Sequence, residues 1–276
     1  MAKRANLKPP GKCIWCGGPD LSKEHIWSKW THALVPTILD GMHTRTATIS
    51  SPTHPVKVIE ETKDRPGSTN TIRLRVVCQR CNSGWMSAID EAAKPILTPL
   101  IGGHPFVITR SAQKIMATWI AMKAMVAEHS RPQDISTPQS ERDHIRISRA
   151  PPLNWNVWIA KHDGSVKWKT GYARHSQTMT WAGSGPPPVR IDGTFAKNTQ
   201  SATLGIGHLL FQVISTDVPG LVFDVPLEFQ SRLWKIWPMV SDFLWPPGYI
   251  LTETGVDSIA YAFDRLANEP RVRRVG

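Results

Sequence analysis

The chain has 276 residues, an apolar fraction of 41%, and a formal net charge of +11 from 33 lysines and arginines against 22 acidic residues. That length allows one or two domains with a sizeable core, and the excess of positive charge favours a polyanionic partner: DNA, RNA or an anionic membrane surface. No run of about 18 apolar residues exists, so no membrane-spanning helix is expected, and Met1-Ala-Lys-Arg-Ala-Asn6 lacks the apolar stretch of a secretory signal, so a cytoplasmic protein is expected.

In chain order, the first feature is Cys13-Ile-Trp-Cys16 followed by Gly17-Gly18, which fits a knuckle turn in which backbone N–H groups approach thiolates with no Cβ in the way. Lys23 to about Leu34 reads as a short helix with Trp27 and Trp30 partly buried, ended by Pro36. Residues 44–50 and 55–60 alternate Thr, Ile and Val as strands, parted by a turn at 51–55, and a second turn, Arg65-Pro-Gly-Ser68, follows. From Thr71 to Val77, Ile72, Leu74 and Val76 alternate with Thr71, Arg73 and Arg75, which predicts a half-buried strand with a basic outer face delivering Cys78. Asn82-Ser-Gly before Trp85, Ile89 and Ala93 is good helix-cap chemistry.

Pro95, Pro99 and Gly102-Gly-His-Pro105 then mark an expected boundary between residues 1–103 and 104–276. Beyond it, Ile115, Trp119, Met122 and Val126 fall at helical spacing, predicting a core helix from about Thr109 to His129. Residues 131–152 read as a linker or excursion, followed by strand-like runs at 155–160, 165–170, 177–182 and about 202–215, with the Pro-rich turn 184–188 between them. The expected class is α+β, the second part carrying a mainly antiparallel sheet. The twelve tryptophans suit a core better than base-stacking platforms, and the basic Arg271–Arg274 tail is expected to be solvated. No catalytic motif is evident in 104–276, which leaves DNA grip or target choice as its expected role.

The only four cysteines form two C-x-x-C pairs, Cys13/Cys16 and Cys78/Cys81. In a reducing compartment this suits one tetrahedral Zn2+ with an all-thiolate shell; buried thiols or disulfides are the alternatives. Glu24-His25 follows the first pair closely and Asn82 follows the second directly. Phosphodiester hydrolysis needs a base for water, for which histidine is matched at neutral pH, and a counter-charge for the phosphate, which a divalent cation on hard oxygen ligands supplies. His25 offers the base; Glu24 and Asn82 offer the oxygens, and a zinc held by both pairs would bring their two segments together.

The order C-x-x-C, acidic residue, His, long connection, C-x-x-C-Asn resembles the HNH (His-Me finger, ββα-metal) endonucleases, most of all the zinc-stapled branch that includes phage endonuclease VII. The resemblance covers residues 10 to 95. It implies a metal-stapled hairpin whose first strand ends at Glu24-His25, with the Asn opening the helix after the second cysteine pair. It also implies His25 as general base, Glu24 and Asn82 as ligands of a catalytic Mg2+ or other divalent cation, and Cys13, Cys16, Cys78 and Cys81 as structural Zn2+ ligands. Glu24 stands where Asp is commoner, Arg73 where many members carry an asparagine, and Asn70 is assigned no role. Such nucleases occur in phages, mobile elements and bacterial genomes. The function this implies is DNA endonuclease activity, with Arg73, Arg75 and Arg80 on phosphate. A non-cleaving zinc-stabilised nucleic-acid-binding protein and a ribonuclease of the same fold are the alternatives.

Overall fold

The computed structural model describes residues 11–35, 42–50, 58–66, 71–181, 189–190, 193, 195–225, 227–246, 248–266 and 272–274. Pro36, Asn70, Arg271 and the expected turns at 51–55, 67–68 and 184–188 lie outside them. Strand β1 (Leu21–His25) and a 3-10 turn (Lys29–Ala33) precede β2 (Met42–Ser50), β3 (Val58–Pro66) and β4 (Arg73–Cys78). A short helix α1 (Gln79–Cys81) and a π-helical turn (Asn82–Met86) run into α2 (Ser87–Ile101). Then follow β5 (Phe106–Ile108), α3 (Arg110–Ala127), α4 (Gln139–Ser148), β6 (Trp155–Lys161), β7 (Tyr172–Gln177), β8 (Thr199–Ile206) and β9 (Leu209–Thr216). The described chain ends with β10 (Leu221–Phe223), β11 (Trp234–Trp237), β12 (Phe243–Trp245), α5 (Glu253–Leu266) and β13 (Val272–Arg274).

The protein is α+β. Five strands form one antiparallel sheet in the order β11-β6-β9-β8-β7, and four two-stranded antiparallel pairs surround it: β1-β4, β2-β3, β5-β12 and β10-β13. Alternation along the central strands covers both faces of the sheet. Trp155, Val157, Ile159, Leu209, Phe211 and Val213 turn towards α2 and α3, whereas Trp158, Ala160 and Leu210 turn towards Val256, Ile259 and Ala260 of α5.

Helix α3 is the axis of the molecule. It is buried on every side from Met116 to Ala127, where Thr118 and Lys123 are the polar exceptions in an apolar run. Thr109 caps it, its Oγ1 accepting from Ala112 N at 3.2 Å. The buried apolar cluster that α3 organises runs without interruption from Cys13 to Trp245, across the expected boundary at Gly102-Gly103. Trp119 packs against Trp27 on one side (6.3 Å between ring centroids) and Phe211 of β9 on the other (5.9 Å).

Several sequence expectations are corrected. Lys23–Leu34 is strand, then 3-10 turn, because Glu24 is held inward while Lys23 and His25 face out, an alternation of two that a helix cannot supply. The excursion 131–152 contains α4; its inward stripe is Glu141, Arg142 and Ile145, so ionic side chains hid the period. Residues 165–170 form a turn, with Trp168 N and Lys169 N both donating to Ser165 O (3.1 and 3.0 Å), and the strand expected at 177–182 is β7, ending at Gln177. The run 202–215 is two strands, β8 and β9, joined at Gly207 (φ +59°). As expected of the tryptophans, Trp237 and Trp245 are core residues.

Candidate functional site

The two C-x-x-C pairs meet as the sequence requires. All four Sγ atoms lie within 4.8 Å of one another, and Cys16 Sγ is 3.5 Å from Cys78 Sγ. A tetrahedron with zinc–sulfur bonds of ~2.3 Å has sulfur–sulfur edges of about 3.8 Å, so the cluster is of the right size for a metal such as zinc. The knuckle is closed by Cys13 N to Gly18 O (2.8 Å) and Gly17 N to Cys13 O (2.9 Å), and Trp15 N points at Cys13 Sγ (3.4 Å). Gly17 sits at φ +68°, and a Cβ on Gly18 would press within 3.3 Å of Cys16 Sγ, so both glycines are dictated by the turn. Burial pushes the Cys13 and Cys81 thiols up; a bound divalent cation inverts that preference and holds them as thiolates. Beside the knuckle, Lys12, Arg142, Asp143 and Arg146 line a cleft of about 630 Å³, with Arg146 paired to Asp143 (3.4 Å) and Arg142 to Glu128 (3.7 Å).

The register of β1 on β4 decides which neighbouring side chains share a face. Ser22 is opposite Val77, Lys23 opposite Arg75, Glu24 opposite Leu74 and His25 opposite Arg73, with the register shifting between Ser22 and Lys23. Val76 is the extra residue of that bulge, and its carbonyl accepts from Ile14 N at 3.0 Å, tying hairpin to knuckle. Cross-strand partners project to the same side, so Lys23, Arg75, His25 and Arg73 form one outward face. Lys23, Arg73 and Arg75 are exposed and His25 is half-buried. Arg80, also exposed, lies on α1 beside the cysteine cluster.

His25 packs edge-on against His32 of the 3-10 turn, with ring centroids 5.6 Å apart. Burial pulls its pKa below the ordinary histidine value; the Glu24 charge pushes it back up, and His32, Arg73 and Lys123 lower it again. A histidine so placed is neutral at pH 7 and can accept a proton.

Glu24 and Asn82 depart from expectation. Glu24 faces the core and is 6% exposed, its Oε1 2.7 Å from the ammonium of Lys123 on α3. Lys123 also reaches Asp90 Oδ2 of α2 at 3.6 Å. Asp90 in turn accepts from Trp119 Nε1 (2.7 Å) and from the Ser28 hydroxyl. Asn82 Nδ2 donates to Ser22 Oγ (3.0 Å), two residues from Glu24 and about 7 Å along the strand. Asn82 follows α1, which starts at Gln79 with Cys78 as its N-cap, and is itself the first residue of the π-helical turn. Among the described residues, the four cysteines are the only group of three or more His, Cys, Asp or Glu placed to hold a metal. At Glu24 Oε1 the Lys123 ammonium stands where a divalent cation on that oxygen would have to bind, so the residues as placed argue against a catalytic cation on Glu24 and Asn82.

Sequence reasoning missed Lys23, His32, Asp90 and Lys123. A lysine in the middle of Trp119-Ile-Ala-Met-Lys-Ala-Met125 was the available signal, since a charge that deep in an apolar helix must have a buried partner. Comparison with known proteins adds no relative: no family model, curated protein or solved structure matches the chain.

Proposed function

We propose that this chain is a zinc-stapled endonuclease of the HNH type that hydrolyses phosphodiester bonds in nucleic acid, DNA first, with the outer face of the β1-β4 hairpin against the substrate. One observation carries the reading: His25, biased to its neutral form by burial, shares a single outward face with Lys23, Arg73 and Arg75. The metal proposed for the cysteines is zinc, which holds β1 and the start of α1 in place and takes no part in the chemistry.

In the proposed reaction His25 removes a proton from a water as its oxygen attacks phosphorus. The bond from phosphorus to the leaving sugar oxygen breaks, and that oxygen takes a proton from solvent. Lys23, Arg73 and Arg75 offset the charge that builds on the phosphoryl oxygens. Arg80 extends the basic surface towards the knuckle. No step is assigned to Mg2+, Glu24 or Asn82.

The test is incubation of supercoiled plasmid and of structured RNA with the zinc-loaded protein and its His25→Ala variant. His25→Ala is expected to keep fold and affinity and to lose ~10²–10⁴ in cleavage rate, the usual contribution of a general base. Cleavage by His25→Ala at the wild-type rate would refute the assignment. A second reading, a zinc-stabilised nucleic-acid-binding protein that does not cut, is favoured by the Glu24–Lys123 pairing; salt-sensitive binding without cleavage of either substrate would establish it. Cleavage of RNA alone would make the protein a ribonuclease.

A further inference from the structure

A three-residue charge cluster lies directly beneath the proposed reaction face, and the chemistry assigned to that face does not use it. Lys123 is fully buried on α3, and its ammonium stands between the carboxylates of Glu24 on β1 (2.7 Å) and Asp90 on α2 (3.6 Å). The second oxygen of Asp90 is taken up by Trp119 Nε1 and the Ser28 hydroxyl. A buried carboxylate beside a half-buried one needs a counter-cation, since the buried Glu24 would otherwise lose its solvation uncompensated. Burial alone draws an ammonium's pKa down; here Glu24 and Asp90 outweigh it and leave the lysine firmly charged.

We infer that Lys123 is a built-in monovalent cation, covalently supplied by α3, that takes the place of an exchangeable divalent cation on Glu24 and fixes the orientation of the His25 face. The placement follows from strand geometry. Glu24 and His25 are consecutive in an extended strand, so drawing one side chain inward sends the other outward. With Glu24 held to α3, His25 has to project beside Arg73 and Lys23. Lys123 is thus a positioning residue: it touches no substrate and acts through Glu24. A Mg2+ ion needs near-octahedral oxygen ligands at about 2.0–2.1 Å, and an ammonium 2.7 Å from Glu24 Oε1 holds the position such an ion would take on that oxygen. The site is accordingly independent of divalent cations other than the metal in the cysteine cluster. The positioning role rests on the reading of His25 as base; the cation assignment does not.

Mn2+ titration followed by electron paramagnetic resonance, with thermal denaturation in the same samples, tests this on the zinc-loaded wild type, Lys123→Met, and Lys123→Met combined with Glu24→Gln. The wild type is expected to bind no Mn2+ at millimolar concentration and to keep the same Tm with and without it. Lys123→Met should lower the Tm, and Mn2+ should bind this variant and restore part of the loss; the double variant should show no such response. A merely structural ion pair would give no gain of Mn2+ binding in Lys123→Met, and that result overturns the inference. If Lys123→Met does not fold, the wild type against Glu24→Gln decides: Mn2+ uptake by the wild type that Glu24→Gln abolishes would refute it, and no uptake by either supports it. Plasmid cleavage that requires Mg2+ would also refute the inference while leaving His25 as base. Failure to cleave any substrate would remove the nuclease reading while leaving the Mn2+ result to stand alone.

Discussion

Removing the metal proposed for the cysteine cluster should unfold the knuckle while the rest of the protein stays folded. Ordering about ten residues, from Gly11 to Asp20, costs on the order of 10–20 kcal/mol in backbone entropy. Against this stand four backbone hydrogen bonds: Cys13 N to Gly18 O, Gly17 N to Cys13 O, Ile14 N to Val76 O and Gln79 N to Asp20 O. At a net ~1 kcal/mol each they leave a deficit of the same size as the ~10–16 kcal/mol a structural zinc contributes. Burial of Ile14 and Trp15, at about 2–3 kcal/mol each, narrows the gap to between roughly 0 and 12 kcal/mol, so at all but the lowest entropy cost the knuckle depends on a metal. Helix α3 and the five-stranded sheet carry no metal ligand and keep their own apolar packing. Amide hydrogen exchange, read by mass spectrometry on zinc-loaded and chelator-treated protein, is the assay. Protection should vanish across 11–20 and weaken in β1 and β4, and persist in α3, β8 and β9. Equal protection of the knuckle with and without metal, alongside elemental analysis showing none bound, would refute the argument.

Two further outcomes follow from the same geometry. Nucleic-acid affinity should fall steeply with salt, and Arg73→Ala with Arg75→Ala should make the log-log slope shallower by about 2, at ~0.9 for each phosphate of duplex DNA that is no longer neutralised; an unchanged slope in filter-binding titrations would put the interface elsewhere. His162 is fully buried, its Nδ1 accepts from Gly164 N at 3.1 Å, and burial drives its pKa down to about 4. The unfolded chain, with a histidine pKa of ~6.5, then binds more protons than the folded one between those two values, so stability is lost as pH falls through that window. The loss should reach about 2 kcal/mol between pH 7 and pH 5, and urea denaturation of His162→Gln should lack that share of the slope.

What the sequence determined by itself is the set of features written in local spacing. Two C-x-x-C pairs with Gly17-Gly18 specify a cysteine knuckle that could hold a metal, because thiolate spacing and a turn at positive φ need no distant partner to be read. The alternation through Arg73 and Arg75 gives a strand with a basic outer face, and the period of Ile115, Trp119, Met122 and Val126 gives α3, since both record which side of an element meets water. The tertiary structure alone decided what lies against what. The β1-β4 register put Lys23 and His25 beside the arginines, and α3 brought Lys123 to Glu24 across 99 positions of chain. Spacing could not show that pairing, because a buried ion pair is fixed by the cost of leaving either charge alone in the core, and only the packing of α3 on the hairpin says which charges share it.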